Sequence, residues 1–345
     1  MRTYMLGVIV ALGSIAVAAS GAQSKPYKVL KRFPVAGATG WDYLYCDSKG
    51  KRLFVSRGTH AVVINTADGS VSGDIPDTAG IHGFAFAPAL GLGFTSNGAA
   101  DSVGVFDSNT LKPTGSIPVN GHNPDAILYD EFSKTLMTFN GRSHDVSFID
   151  PVSRRVTAVV PVGGKPEFAA TDGAGHVFVN IEDTSKLVTL DPVARKVTAT
   201  WPLPHCEEPS GLAMDVEHHR LFSACGNGRL AVTDSQSGTQ VASVPIGQGP
   251  DAVVFDRERQ LIFTPNGEDG TLTVIHQDTP DHYSVTSTVA TQKSARTLAL
   301  DDNTHHLYLV AAEFGPPPAA TGTTRPRPPV LEGTFKVLVV GNDAP

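Results

Sequence analysis

The stretch Pro124-Asp125-Ala126-Ile127-Leu128-Tyr129-Asp130 decides the fold, because the chain carries it seven times in altered form. In each copy a Pro or small residue leads an apolar strand that ends in Asp or another turn residue. Two copies precede it, Trp41-Asp42-Tyr43-Leu44-Tyr45-Cys46-Asp47 and His82-Gly83-Phe84-Ala85-Phe86-Ala87-Pro88. Four follow: Pro166-Glu167-Phe168-Ala169-Ala170-Thr171-Asp172, Pro209-Ser210-Gly211-Leu212-Ala213-Met214-Asp215, Pro250-Asp251-Ala252-Val253-Val254-Phe255-Asp256 and Ala295-Arg296-Thr297-Leu298-Ala299-Leu300-Asp301.

Counted from Asp42 through Gly83, Asp125, Glu167, Ser210, Asp251 and Arg296, the steps are 41, 42, 42, 43, 41 and 45 residues. A step of that length holds four short strands and three turns, the content of one propeller blade. Each copy continues with a second strand (Leu53-Phe54-Val55, Val177-Phe178-Val179), a polar loop, a third strand (Val103-Gly104-Val105-Phe106-Asp107), a turn and a fourth strand (Val156-Thr157-Ala158-Val159). The strands alternate or run apolar at β spacing, and no stretch sustains a helical period. The reading is an all-β chain, a seven-bladed β-propeller of four-stranded blades. The seventh copy runs out after its third strand, and Tyr27 to Val35 reads like the fourth strands elsewhere. The N-terminal segment is therefore expected to complete the last blade and close the ring, leaving no unpaired radial edge.

The second-strand endings Phe94-Thr95-Ser96-Asn97, Phe178-Val179-Asn180 and Phe263-Thr264-Pro265-Asn266 stand close to the Tyr-Val-Thr-Asn signature of the YVTN repeat. Nearly all of the chain after the N-terminal leader resembles a YncE-like periplasmic propeller of that family. The resemblance implies seven blades and an exported address. It implies no activity, because the matching motif contains no catalytic residue to carry over.

The N-terminus agrees with that address. Met1-Arg2 is followed by apolar and small residues from Leu6 to Ala19, and Ser20-Gly21-Ala22 offers the small side chains a signal peptidase needs. Residues 1–22 are read as a signal peptide and 23–345 as a single propeller domain with a Pro-rich insertion at 314–333; the address expected is periplasmic or secreted. No later run is long and apolar enough to span a bilayer. A formal charge of −7, from 27 Lys+Arg against 34 Asp+Glu, supplies no basic field for nucleic acid. Of three cysteines, Cys206 enters blade five and Cys225 ends its second strand, which makes them the disulfide candidates, while Cys46 lies within an innermost strand and reads as a buried thiol.

In a propeller the innermost strands all start at one mouth of the central channel, the default binding site. Here Asp42, His82, Asp125, Glu167, Glu208 with Ser210, Asp251 and Arg296 are expected to converge. Like charges crowded together need compensation by a cation, by the Arg or by water, so a divalent metal ion or a cationic ligand is one reading of the acidic ring. The other is structural, with each Asp accepting from backbone N–H groups of the neighbouring loop. Arg296 breaks the repeat and would neutralise the ring or clamp a carboxylate or phosphate. His122 and His205 lie in connections that enter innermost strands; Glu313 opens the seventh-blade insertion at the same mouth. No Gly-x-Ser-x-Gly elbow, His-Glu-x-x-His or phosphate-cradling loop is present. The primary functional expectation is a binding or interaction protein that holds a small molecule or protein ligand at the mouth. A propeller lactonase or lyase using Glu167 or Asp251 with His122 or His205 is the rival, and a structural surface-layer-like protein the third reading.

Overall fold

The computed structural model describes residues 25–318 and 328–342. The expected signal peptide and the centre of the insertion lie outside them. Seven sheets of four antiparallel strands form the ring, and the only helical elements among the described residues are three short 3-10 turns. The last sheet has the order Lys28–Pro34, Lys336–Gly341, Leu307–Ala311, Leu298–Leu300, so the N-terminal strand does pair with the last strand of the chain. No helix among the described residues is long and apolar enough to cross a membrane.

Alternation along the second strands explains why the blades pack radially. In blade one, Leu53 and Val55 turn toward blade seven, while Phe54 turns toward blade two. In blade six, Phe263 faces blade seven and Ile262 faces blade five. Both faces of a second strand are thus buried, and Phe54, Phe94, Phe178, Phe222 and Phe263 are all at most 1% exposed. Each of the seven blade interfaces has its own cluster of buried apolar side chains. Cys206 and Cys225 belong to the one between blades four and five and are joined by a disulfide with Cα atoms 5.2 Å apart. Cys46 is a free, half-buried thiol whose pKa burial pushes up to about 12.

Near the axis, polar side chains stitch blade to blade. Asn180 donates to the carbonyls of Ser210 and Gly211 in the next blade at 3.1 Å each, and Ser223 Oγ donates to its Oδ1 at 2.9 Å. Thr297 donates to the Asp42 carbonyl at 2.8 Å across the ring closure. The Asn that ends the second strand is buried at Asn97, Asn140, Asn180 and Asn266. Asn140 and Asn266 instead pin their own hairpins, Asn140 through Asp145 and Ser147, Asn266 through Thr271 and Thr273. At Asn140, Asn180 and Asn266 the motif is thus a buried amide anchor, whereas Asn97 is buried with its Oδ1 unpartnered among the described residues.

Removing such an anchor strands several buried partners at once. Asn180→Ala is expected to lower unfolding stability by about 2–4 kcal/mol in a denaturant titration; a loss within experimental error would show that the inter-blade bonds carry no net stability.

Candidate ligand site at the channel mouth

The starts of the innermost strands bring four carboxylates together, Asp42, Asp125, Glu167 and Asp251, with three cations between them. His82 Nδ1 lies 2.6 Å from Asp42 Oδ2 and 3.4 Å from Asp125 Oδ1, bridging blades one and three. Arg296 Nε donates to Asp251 Oδ2 at 2.6 Å, and its Nη2 lies 3.5 Å from Asp42 Oδ1. Lys165 Nζ lies 2.6 Å from Glu167 Oε1 and also pairs with Glu182. Close approach of these side chains to the neighbouring loops demands glycine there. A Cβ on Gly98 would stand 2.6 Å from His82 Nε2, and one on Gly267 would stand 2.7 Å from the Arg296 Cβ.

One residue further along the strands, Tyr43 and Phe168 meet from opposite sides of the ring with centroids 4.8 Å apart, putting an aromatic floor beneath the mouth. Burial first, and then the charges of Asp251, Glu167, Asp42 and Asp125, push the Tyr43 hydroxyl pKa well up. Burial likewise raises Asp125, Glu167 and Asp251 above the ordinary carboxylate range: Glu167 is raised further by Asp125, while His82 and Arg296 oppose the rise at Asp125 and Asp251. For His82, burial favours the neutral imidazole, but the Asp42 hydrogen bond and the charges of Asp125, Asp42 and Glu167 outweigh it and lift the pKa to about 9.

Among the described residues, the ring carboxylates therefore pair with cationic side chains rather than with backbone amides. Backbone capping does occur, from acids one loop away: Asp101 accepts from Asn123 N, Asp183 from Lys165 N and Asp269 from Gln248 N. Asp42, His82 and Asp125 offer donor atoms within 4.8 Å of one another, a spacing a divalent ion fits. Such an ion would have to displace the hydrogen that His82 Nδ1 shares with Asp42, and Arg296, His82 and Lys165 already supply much of the charge compensation.

Four anticipated residues stand outside this network. Glu208 is exposed where the chain turns through a left-handed conformation before Pro209. His122 is two-thirds exposed and pairs with Asp101 at 2.8 Å. Glu313 is exposed at the base of the insertion. His205, also exposed, bonds no ring carboxylate among the described residues; its carbonyl accepts from Asn227. Lys165, Tyr43 and Trp41 are the participants that the repeat did not flag.

Beside the ring, Trp41, Phe314, Pro328, Pro329 and Val330 wall a cavity of about 470 Å³, with Arg296 as its one charged lining residue among those described. The base of the insertion is ordered here: Phe314 pairs with Val330, Gly315 N donates to Pro329 O at 2.9 Å, and the Phe314 ring packs on Trp41 with centroids 5.7 Å apart.

No family model and no curated protein matches this chain. Among solved structures, it is similar to a chain of the Kuenenia stuttgartiensis hydrazine synthase, with a TM-score of 0.68 at 14% identity over 86% of this chain and 96% of that one. A chain of a mitotic checkpoint complex gives a TM-score of 0.73 at 11% identity over 90% of this chain and 96% of its own length. At such identities the likeness shows the seven-bladed fold alone.

The mouth has a definite pH signature. The His82 pKa stands above its unfolded value, so its contribution is complete below about pH 6.5 and is lost as pH rises through about 9. The raised carboxyls act with the same sign, because each becomes costlier to bury as it ionises. Thermal stability is expected to fall across that window, with His82→Gln removing about 2–3 kcal/mol of the pH dependence; an unchanged slope in the variant would sink the assignment.

Proposed function

We propose that this chain is an exported propeller of the YVTN-repeat, YncE-like kind that binds a small molecule or protein ligand at its channel mouth. The observation that carries the reading is the placement of Arg296. Its guanidinium is held between Asp251 and Asp42, remains about a third exposed, and opens onto the 470 Å³ cavity. A charge fixed in orientation at the edge of a concave apolar surface is what a specific binding site requires. The floor of Tyr43 and Phe168 gives that mouth a bottom against which a ligand would rest.

Export is supported by the leader-like residues 1–22 and by the Cys206–Cys225 disulfide, a bond that persists in oxidising compartments. Fractionation of producing cells, with N-terminal sequencing of the purified protein, is expected to find the chain outside the cytoplasm and beginning close to Gln23. A cytoplasmic protein that retains residues 1–22 would overturn the exported address.

A lactonase or lyase reading leans on the proton-holding tendency of Asp125 and Glu167, which suits a general acid. The histidines proposed as its base, His122 and His205, stand on the rim, so binding without turnover is the better-supported reading. The test is a thermal-shift screen of small metabolites against the wild type and Arg296→Ala, with each hit analysed by mass spectrometry after incubation. Hits that lose their shift in the variant and are recovered unchanged are expected. Converted hits would favour the enzyme, and hits indifferent to Arg296→Ala would remove the mouth as the site.

A further inference from the structure

We infer that the axis of the mouth, among the Asp125 and Glu167 carboxylates and the Tyr43 hydroxyl, takes the ammonium group of a small organic cation, an inference that rests on the mouth-site reading and specifies its ligand. The charge balance sets the sign. Five carboxylates gather here, Asp42, Asp125, Glu167, Asp251 and Glu182, against the three cations His82, Lys165 and Arg296. Their pairing is uneven. Asp42, Glu167 and Asp251 each have a cationic nitrogen 2.6 Å away, whereas Asp125 has only His82 Nδ1 at 3.4 Å, and that nitrogen is already hydrogen-bonded to Asp42. The Asp125 carboxylate accepts no hydrogen bond among the described residues, yet 13% of its side-chain surface stays open. Glu167 is raised by burial first and then by Asp125, so the two share a space short of positive charge.

A second observation, independent of the acids, points to a ligand in that space. Tyr43 is only 6% exposed, and its hydroxyl makes no hydrogen bond among the described residues. It is aimed into the ring, where the charges of Asp251, Glu167, Asp42 and Asp125 all act on it. The Trp41 indole nitrogen and the Arg57 Nε and Nη1 are closed to water; the Tyr43 oxygen is not. Polar groups buried this deeply are ordinarily partnered. An ammonium nitrogen carries three hydrogens, one for Asp125, one for Glu167 and one for the lone pair of Tyr43 Oη.

The surroundings favour a nitrogen cation over the other ions. A divalent metal held by Asp42, His82 and Asp125 needs the imidazole nitrogen that Asp42 engages, whereas an ammonium on Asp125 leaves that pair intact. The Tyr43 and Phe168 rings beneath the mouth suit an organic cation, which aromatic π-systems attract. An anion would add to the surplus of negative charge, and it would find Arg296 already held between Asp251 and Asp42.

Calorimetric titration of the purified full-length protein at low ionic strength with benzylamine, charged at neutral pH, and with benzyl alcohol as its neutral counterpart, tests this. The amine is expected to bind roughly tenfold or more tightly than the alcohol. Asp125→Asn, which keeps the shape and removes the charge, is expected to weaken the amine about tenfold and leave the alcohol unchanged. Tyr43→Phe, which keeps the ring and removes the hydroxyl, is expected to weaken the amine several-fold. Equal affinities for amine and alcohol, or binding by neither, would overturn the ammonium class, leaving the mouth site itself to the Arg296→Ala screen, whose ligands are unrestricted in class. Amine binding indifferent to both variants would put the amine elsewhere on this acidic protein and sink the site. Calcium or magnesium that displaces the amine, and whose own binding is lost in Asp125→Asn, would assign the position to a metal ion instead.

Discussion

Everything in this molecule depends on the second strand of each blade having no exposed face. With Phe54 buried against blade two and Leu53 and Val55 against blade seven, a blade is stable only between two neighbours. Seven such interfaces can all be satisfied only in a closed ring, since an open arc would leave a terminal aromatic face in water. Closure in turn runs through Lys28–Pro34, which pairs with Lys336–Gly341 and covers the edge that this strand would otherwise expose. Tyr27, which stacks edge-on against Phe263 at 5.1 Å, ties that closing segment to blade six as well.

The ring also creates the electrostatic problem at its mouth. Once seven inner strands start around one axis, the residues at those starts are neighbours whatever their charge, and four of them are carboxylates. The conflict is relieved where the repeat is broken. Blade two has Gly83 at the ring position, and the preceding residue, His82, spans from Asp42 to Asp125. Blade seven has Arg296, between Asp251 and Asp42. Blade four reaches back through Lys165 to its own Glu167. Each cation comes from a different relation to the repeat, so their joint effect is a property of the closed ring and of no single blade.

That distinction explains what could be read from the residues alone. The blade step, the order of strands and the N-terminal closure are periodic quantities, and periodicity survives in one sequence. Asp42, Asp125, Glu167, Asp251 and Arg296 occupy a single register position, so their convergence followed from the period. Lys165 and Tyr43 sit one or two positions from that register, and only the reach of their side chains across the axis brings them in. Glu208 and His122 stay out of the ring's ion pairs for the converse reason. They neighbour the register in sequence, but Glu208 sits in a left-handed turn and His122 is taken by Asp101, which also accepts from the backbone of Asn123. At the opposite ends of the inner strands, the same buried Asp does fix turns, as at Asp130 with Ser133 and Asp215 with Glu217, and Asp256 additionally reaches His305 of the next blade at 2.7 Å.

The position of the cavity has a structural cause of its own. Six of the blade interfaces join consecutive copies of one repeat, whereas that between blades seven and one packs Phe33, Val35, Phe335 and Val337 of blade seven with Leu53, Val55, Val62 and Ile64 of blade one. Side chains at this seam serve closure rather than repetition, so they are free to depart from the pattern: Trp41 stands where His82, Pro or Ala295 stands in other blades, Arg57 follows Ser56 into the interior, and the seventh blade accommodates an insertion between its second and third strands. Insertions are tolerated where they add to a surface turn without breaking a strand pair, and this one emerges next to Trp41 because the second-to-third loop of blade seven opens on the mouth. The aromatic wall, the buried guanidinium and the tethered Arg296 therefore meet at one interface because it is the one that closure, and not the repeat, had to build.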